Sequence, residues 1–185
     1  CCKSGLPVLR SPMIWRGAMA TSAVRQMIDE VVWGDLDVLL LDLPPGTGDV
    51  QLTLVQRVPL AGAVIVSTPQ EMALADVRRG LAMFEKTRAP ILGVVENMAY
   101  FETPDGQRTH IFGEGGAKRV AADVGAPFLG EIPIDVALRE SCDAGAPLVA
   151  TQPEHPVSKR FREIAAAALD NAARMNKPAP AIRIK

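Results

Sequence analysis

Two aspartates flank a proline- and glycine-rich turn in the stretch VLLLDLPPGTGD, Val38 to Asp49. Asp42 closes the apolar run Val38 to Leu41, which reads as a strand apolar on both faces, the pattern of an interior strand in a parallel sheet. A carboxylate at the carboxyl end of such a strand stands where open α/β sheets bind ligands, and it suits a water-mediated contact to Mg²⁺. Pro44 and Pro45 stiffen the exit from the strand, while Gly46 and Gly48 permit tight backbone paths. Backbone N–H groups of Gly46, Thr47 and Gly48 can then approach a terminal phosphate, and Asp49 can position water or follow the phosphate by moving. The same residues also fit a plain strand-ending turn with Asp49 as a helix N-cap. Both readings stand at this point.

Other residues carry weaker signals. Asn97 follows the apolar run GVV and Glu96, and a carboxamide both donates to and accepts from a base; an ordinary turn residue is the plain alternative. Thr68, in Thr68-Pro69-Gln70, is expected to cap the helix that follows, with Glu71 in its positive first turn. Gln70 can support a nucleotide or a subunit surface. Arg16, beside Trp15, can reach an anion or a partner subunit, or sit in an ordinary surface pair, and Arg78 and Arg79 read as a solvated helix face. His110 is expected chiefly to fasten its own loop, with a place facing the crevice, as a metal contact or a partner contact, as the alternative. Three cysteines, Cys1, Cys2 and Cys142, form neither a CxxC pair nor a disulfide framework. They fit a reducing, cytoplasmic setting, and Cys142 reads as a small, semi-buried side chain.

The elements that must hold these residues follow from periodicity. Val24, Met27, Ile28, Val31 and Val32 are spaced for a helix over Thr21 to Val32. Gly62 to Ser67 and Ile91 to Val95 repeat the buried-strand type, and Phe128 to Ile132 is a fourth, weaker strand. Between them, Met72 to Phe84 places Ala73, Leu74, Val77, Leu81 and Phe84 on one helical face. Ala117, Val120, Ala121 and Val124 do the same after the turn Gly113 to Gly116. A last helix, Val157 to Ala173, turns Phe161, Ile164, Ala165, Ala168 and Leu169 inward. Strands and helices alternating at these lengths predict right-handed βαβ crossovers in a layered α/β domain.

The totals agree with one such core. A chain of 185 residues buries about 70% of its unfolded surface, and 48% apolar content argues against wholesale disorder. Twenty basic residues against twenty-one acidic ones give no support to a nucleic-acid binder, which needs a basic surface. No apolar run reaches the eighteen or so residues a bilayer requires, so no membrane partner is expected. The opening CCKSG reads as a cut edge, and residues 176–185 are expected to fray.

The wider pattern resembles the Mrp/ApbC-type (Mrp/NBP35-like) family of deviant P-loop ATPases, which includes iron–sulfur cluster carriers. The resemblance runs from MIWRGAM (Met13 to Met19) through LDVLLLDLPPGTGDVQLTL, GAVIVSTPQEMALADVRRG, GVVENMAYF, THIFGEGGAKR, FLGEIPIDVALRE and DAGAPLV. It implies a three-layer, mostly parallel sheet of the SIMIBI type, incomplete at its N-terminal side, with residues 1–175 forming the carboxyl-terminal portion of a single ATPase domain. It implies ATP and Mg²⁺ as ligands, with Asp42 on the magnesium side, Pro44 to Asp49 as the loop that senses nucleotide state, and Asp49 coupled to water. It also implies Asn97 at the adenine edge and Pro133 to Asp135 near the base or ribose. A homodimer that passes clusters to recipient apo-proteins completes the picture.

Two departures limit it. The family's GKGGVGKS-like loop, whose lysine and N–H groups hold phosphates, does not occur in this sequence, and Lys3-Ser4-Gly5 does not replace it. These residues alone are therefore expected to bind ATP weakly and hydrolyse it poorly. Many relatives also carry a CPxC pair after the NM-x-YF stretch, which lets a symmetric dimer hold a [4Fe–4S] cluster. Thr103 and Asp105-Gly106 stand there instead, and no local cysteine supplies the ligands. The leading expectation is an ATP-hydrolysing iron–sulfur assembly or carrier protein. A nucleotide-regulated scaffold or partitioning-type adaptor without a cluster, and an inactive structural fragment, are the alternatives.

Overall fold

The computed structural model describes residues 22, 26–43, 51–52, 54–55, 58 and 60–175, and the chain divides into two compact units, residues 1–59 and 60–185. In the first unit, residues 26–29 are helical, and Glu30 N–H donates to Gln26 C=O at 2.9 Å. The helix expected through Val32 stops there, leaving Val31 and Val32 exposed. The start of that helix at Thr21, the proline–glycine turn 44–49, Arg16 and residues 176–185 lie outside the described residues.

The expected interior strand Val38 to Leu41 is not formed. Residues 38–43 belong to neither helix nor strand, and Val38, Leu39 and Leu40 are exposed. An apolar run becomes a strand only when its N–H and C=O groups enter a ladder, and among the described residues none pairs with it.

The second unit carries a four-stranded sheet. In chain order it comprises β1 (Ala63–Ser67), α1 (Glu71–Thr87), β2 (Ile91–Glu102), β3 (Arg108–Thr109), α2 (Gly116–Asp123), β4 (Phe128–Ile134), α3 (Val136–Asp143), α4 (Leu148–Thr151) and α5 (Pro156–Met175). β2 is the spine, pairing in parallel with β1 and with β4. Phe101 of β2 is opposite Ile134 of β4 and also opposite Thr109 of β3, so β3 and β4 flank β2 on different sides. β3 runs antiparallel to β2. The sheet is therefore mixed, and the expectation of a mostly parallel one holds only for its β1–β2–β4 part. The antiparallel rung follows from a hairpin, Thr103 to Gln107, too short for the crossover that a parallel neighbour would need.

Helices cover both faces of this unit. Successive residues of a strand point to opposite sides. Val94 accordingly packs with Leu74 and Leu81 of α1 and Ala117, Val120 and Ala121 of α2. Val95, its neighbour, packs with Ile132, Leu148 and Val157, with Ile164 against them. α1 buries Leu74, Leu81 and Phe84 as its spacing predicts. It ends at Arg88, whose left-handed backbone (φ 57°) turns the chain toward Pro90 and β2.

α5 presents a different face from the one expected. Phe161 and Leu169 are exposed, and the inward line runs through Val157, Ile164 and Asn171 at seven-residue steps. Val157 and Ile164 enter the core cluster, and Asn171 Nδ2 donates to Leu92 C=O at 2.9 Å. A polar residue that finds a backbone acceptor on β2 sets the helix rotation here, and hydrophobicity alone misplaces it.

Candidate functional site

The regular parallel ladders end at nearly one level. Ser67 of β1 is opposite Glu96 of β2, and Asn97 is opposite Ile132 of β4. This carboxyl edge therefore gathers Ser67 to Gln70, Glu96 to Met98 and Pro133 to Asp135, the place where open α/β sheets bind ligands.

β2 does not stop at Val95 as its apolar run suggests. Asn97 is opposite Ile132 but Phe101 is opposite Ile134, so three residues of β2, Met98 to Tyr100, stand against Pro133 alone. Proline has no N–H to give the ladder, and a bulge is the natural answer. Met98 takes up the bend with φ 55°, a left-handed conformation that is uncommon for a residue with a side chain. At this bend Met98 N–H donates to Asn97 Oδ1 at 3.0 Å. The bond fixes which way the carboxamide faces, because only its oxygen can accept. Asn97 is half-buried, and its Nδ2 has no hydrogen-bond partner among the described residues. The edge thus presents an oriented amide donor beside Pro133.

Asp135 is committed elsewhere in part. It is the N-cap of α3, accepting from Leu138 N–H at 2.7 Å, and its other oxygen faces His155 Nε2 at 3.9 Å. Asn97, Pro133 and Asp135 are thus brought to one edge, with Asp135 serving the helix that begins there.

Glu96 is the residue that the sequence reading passed over. It is 1% exposed and accepts from Gly115 N–H at 3.2 Å and from Ala117 N–H at 2.7 Å. A carboxylate ending an apolar strand, with a glycine-rich helix start about twenty residues later, was the available signal. Its bonds also decide what the Gly113 to Gly116 turn does. The N–H groups at the start of α2, the positive end of its dipole, already hold an internal anion. Gly116 is required for close packing, since a Cβ there would meet Pro69 C=O at 2.6 Å.

Thr68 does not cap α1. The N-cap position is Gln70, without a side-chain cap bond, and Thr68 Oγ1 faces Gln70 Oε1 at 3.4 Å instead. The proline between them extends the chain past the reach that a Thr68 cap needs. Glu71 does sit in the first turn, near Arg78 and Arg119.

The hairpin beyond the bulge is a closed polar turn. Thr103 N–H donates to Gln107 C=O at 2.9 Å, Gly106 N–H donates to Thr103 C=O at 2.8 Å, and the Thr103 hydroxyl donates to Asp105. That hydroxyl, with the N–H groups of Asp105 and Gln107, holds the Asp105 carboxyl below its ordinary range. His110 fastens the hairpin's return by Nδ1 to Ala99 C=O at 3.1 Å, edge-on to Tyr100, over whose ring Arg108 lies. No group of three His, Cys, Asp or Glu side chains able to hold a metal occurs among the described residues. Cys142 is exposed rather than semi-buried, because it lies on α3, which buries none of its residues. The donor set of this hairpin, hydroxyl and carboxylate oxygen, does not fit a four-thiolate cluster. Asp42 is exposed between half-buried Leu41 and Leu43, and a single hard oxygen donor suits a water-mediated magnesium contact. Gly46, Thr47, Gly48 and Asp49 lie outside the described residues.

Comparison with known proteins gives this arrangement a family. Residues 5–169 match the family model described as ParA, NUBPL iron-transfer P-loop NTPase. The chain belongs to that family. It is 55% identical over 154 residues to the iron–sulfur cluster transfer protein NUBPL of Dictyostelium discoideum, covering 83% of this chain and 48% of that protein. It is 47% identical over 154 residues to an iron–sulfur cluster carrier protein of Escherichia coli K12, covering 83% and 42%. A nucleotide-binding protein of Archaeoglobus fulgidus, solved in complex with ADP, superposes with a TM-score of 0.64 at 46% identity, covering 74% of this chain and 56% of that one. The cell division ATPase MinD of Pyrococcus furiosus shares the fold at 23% identity, with a TM-score of 0.59 over 84% of this chain and 59% of its own. The chain spans about half the length of the curated relatives it matches. No described helix is long and apolar enough to cross a membrane.

Proposed function

We propose that this chain supplies the adenine-side edge and the metal-side loop of an ATP-hydrolysing iron–sulfur cluster carrier that works as a homodimer. The observation that carries the reading is the oriented carboxamide of Asn97, held by Met98 N–H beside Pro133 at the ligand-binding edge of the sheet. With Oδ1 fixed, Nδ2 donates to a ring nitrogen of adenine, and the second lone pair of Oδ1 accepts from the exocyclic amine. Pro133 offers an apolar surface near the base, and Asp135 lies toward the ribose.

Asp42 takes the magnesium side through water, and magnesium supplies neutralisation of charge on the phosphates. Gly46, Thr47 and Gly48 bring backbone N–H groups to the terminal phosphate, and Asp49 orients the attacking water or links its position to movement of the loop. No covalent nucleophile is needed, because phosphoryl transfer to water depends on positioning and charge stabilisation. The family membership and the relative solved with ADP support this reading. The cluster is cargo, passed to recipient apo-proteins in a reducing compartment such as the cytoplasm.

A second reading is favoured by the closed Thr103–Gln107 turn. With oxygen donors and no thiolate there, the protein is a nucleotide-gated adaptor that holds no cluster at this hairpin. ATP turnover of the full-length protein, with Asp42→Ala as control, tests the first part, and retained turnover in that variant contradicts it. Anaerobic iron and sulfide analysis of the same preparation separates the two readings. A carrier returns both elements in comparable amounts, and an adaptor returns neither.

A further inference from the structure

The chain leaves the carboxyl edge at Asn97, runs through the bulge and hairpin, and returns at Gly115. Both ends of this excursion meet at one side chain. Glu96 immediately precedes it, and its two oxygens take the N–H groups of Gly115 and Ala117, nineteen and twenty-one residues further on. Midway, His110 Nδ1 meets Ala99 C=O and Phe101 pairs with Thr109, so the excursion is laced along its length. Glu96 is 1% exposed and Ala117 is fully buried. In such surroundings a charge-assisted pair of bonds is strong when both are made and costly when one is lost.

We propose that Glu96 is the positioning residue for Asn97, acting by clamping the two ends of the 97–115 excursion to the edge of the sheet. This rests on the reading of Asn97 as the base-contacting side chain. Met98 holds a left-handed backbone and gives its N–H to Asn97 Oδ1. A conformation of that kind persists only where its surroundings over-determine it. Glu96 provides that constraint on the chain's near side by joining β2, just before the bulge, to the start of α2. Without it, the bulge relaxes and the Asn97 amide loses its fixed direction while remaining present.

The test compares Glu96→Gln with Asn97→Ala in the full-length protein, with ADP and GDP as probes. Glutamine keeps the shape of the side chain but offers one acceptor oxygen and sets an NH₂ against the other N–H. ADP affinity is expected to fall about tenfold in Glu96→Gln, the equivalent of about 1.4 kcal/mol of lost positioning. The preference for ADP over GDP is expected to shrink with it, and amide exchange at Gly115 and Ala117 to accelerate. A folded Glu96→Gln protein with unchanged ADP affinity and unchanged base preference overturns the inference. If wild-type protein binds ADP no better than GDP, or Asn97→Ala changes nothing, the underlying reading of Asn97 fails instead. Should Glu96→Gln not fold, hydrogen exchange on the wild type decides. ADP is then expected to slow exchange at Gly115 and Ala117, and exchange indifferent to ADP contradicts the clamp.

Discussion

Asp135 and His155 face each other across the start of two helices, Oδ2 to Nε2 at 3.9 Å, while Asp135 Oδ1 caps α3 through Leu138 N–H at 2.7 Å. Val157 N–H donates to His155 Nδ1 at 3.3 Å, so that ring nitrogen is an acceptor and the ring proton is on Nε2, toward the carboxylate. Asp135 thus caps the first turn of α3 and faces, without a hydrogen bond, the residue that precedes α5.

Removing the cap has a foreseeable cost. Asp135→Ala is expected to destabilise the protein by about 1 kcal/mol, the usual value of an N-cap, and Asp135→Asn by only a few tenths, since asparagine caps nearly as well. Urea midpoints with an unchanged slope would report this. Equal losses in the two variants would mean that the charge facing His155, rather than the cap, is what matters.

Two glycines make opposite predictions. A Cβ on Gly116 would meet Pro69 C=O at 2.6 Å and Leu74 Cδ1 at 2.7 Å, and the carbonyl is backbone that cannot swing aside. Gly116→Ala is expected to cost about 1–3 kcal/mol through overpacking. Gly80 lies inside α1 with nothing within 4 Å of its virtual Cβ. Gly80→Ala is expected to stabilise by about 0.5–1 kcal/mol, the helix-propensity gain. Thermal melts of the two variants should move in opposite directions.

The Asp105 carboxyl gives a pH dependence with a definite sign. The Thr103 hydroxyl, then the backbone N–H groups, hold it below its ordinary value of 3.8. A depressed folded-state value means that the ionised form favours the closed turn above the ordinary value, and that this support is lost as pH falls through the folded value. Amide protection at Gly106 should therefore weaken on acidification below about pH 4. In Thr103→Val the Asp105 titration, followed by carboxyl NMR, should move upward. A titration that stays where it is in that variant would exclude the hydroxyl as the cause.

Much of the second unit was legible in the residues. Leu74, Leu81 and Phe84 recur at helical spacing and are buried, and the apolar runs at Gly62, Ile91 and Phe128 became β1, β2 and β4. Four things were not legible, for physical reasons. Val38 to Leu41 has the composition of a buried strand, but composition cannot supply a ladder partner. β2 continues past Asn97 because Pro133 opposite it forces a bulge rather than an end, and that depends on register, which is a property of two strands. Short α3 and α4 lack the repeated apolar face that periodicity needs. Glu96 was hidden because a charged residue in an apolar run reads as an interruption, whereas its partners are N–H groups far along the chain. As for Asp42, Gly46, Thr47, Gly48 and Asp49, their roles came from motif and family resemblance, and Asn97 gained a local geometry that the motif did not contain.

Exposure places Cys142 on the surface of α3, and no second described thiol accompanies it. Cys142→Ala is expected to leave the iron and sulfide content of the full-length protein unchanged. A loss of both elements would make that thiol a cluster ligand, completed by a second subunit.

By the proposed function, the Asn97 amide, fixed by Met98 N–H, reads adenine at the edge of the sheet. Calorimetric titration of full-length wild type and Asn97→Ala with ADP and GDP tests it most directly. An ADP preference is expected in the wild type, falling by roughly tenfold in the variant, the scale of one or two lost hydrogen bonds, with GDP binding little changed. Equal affinities of the two proteins for ADP would contradict it.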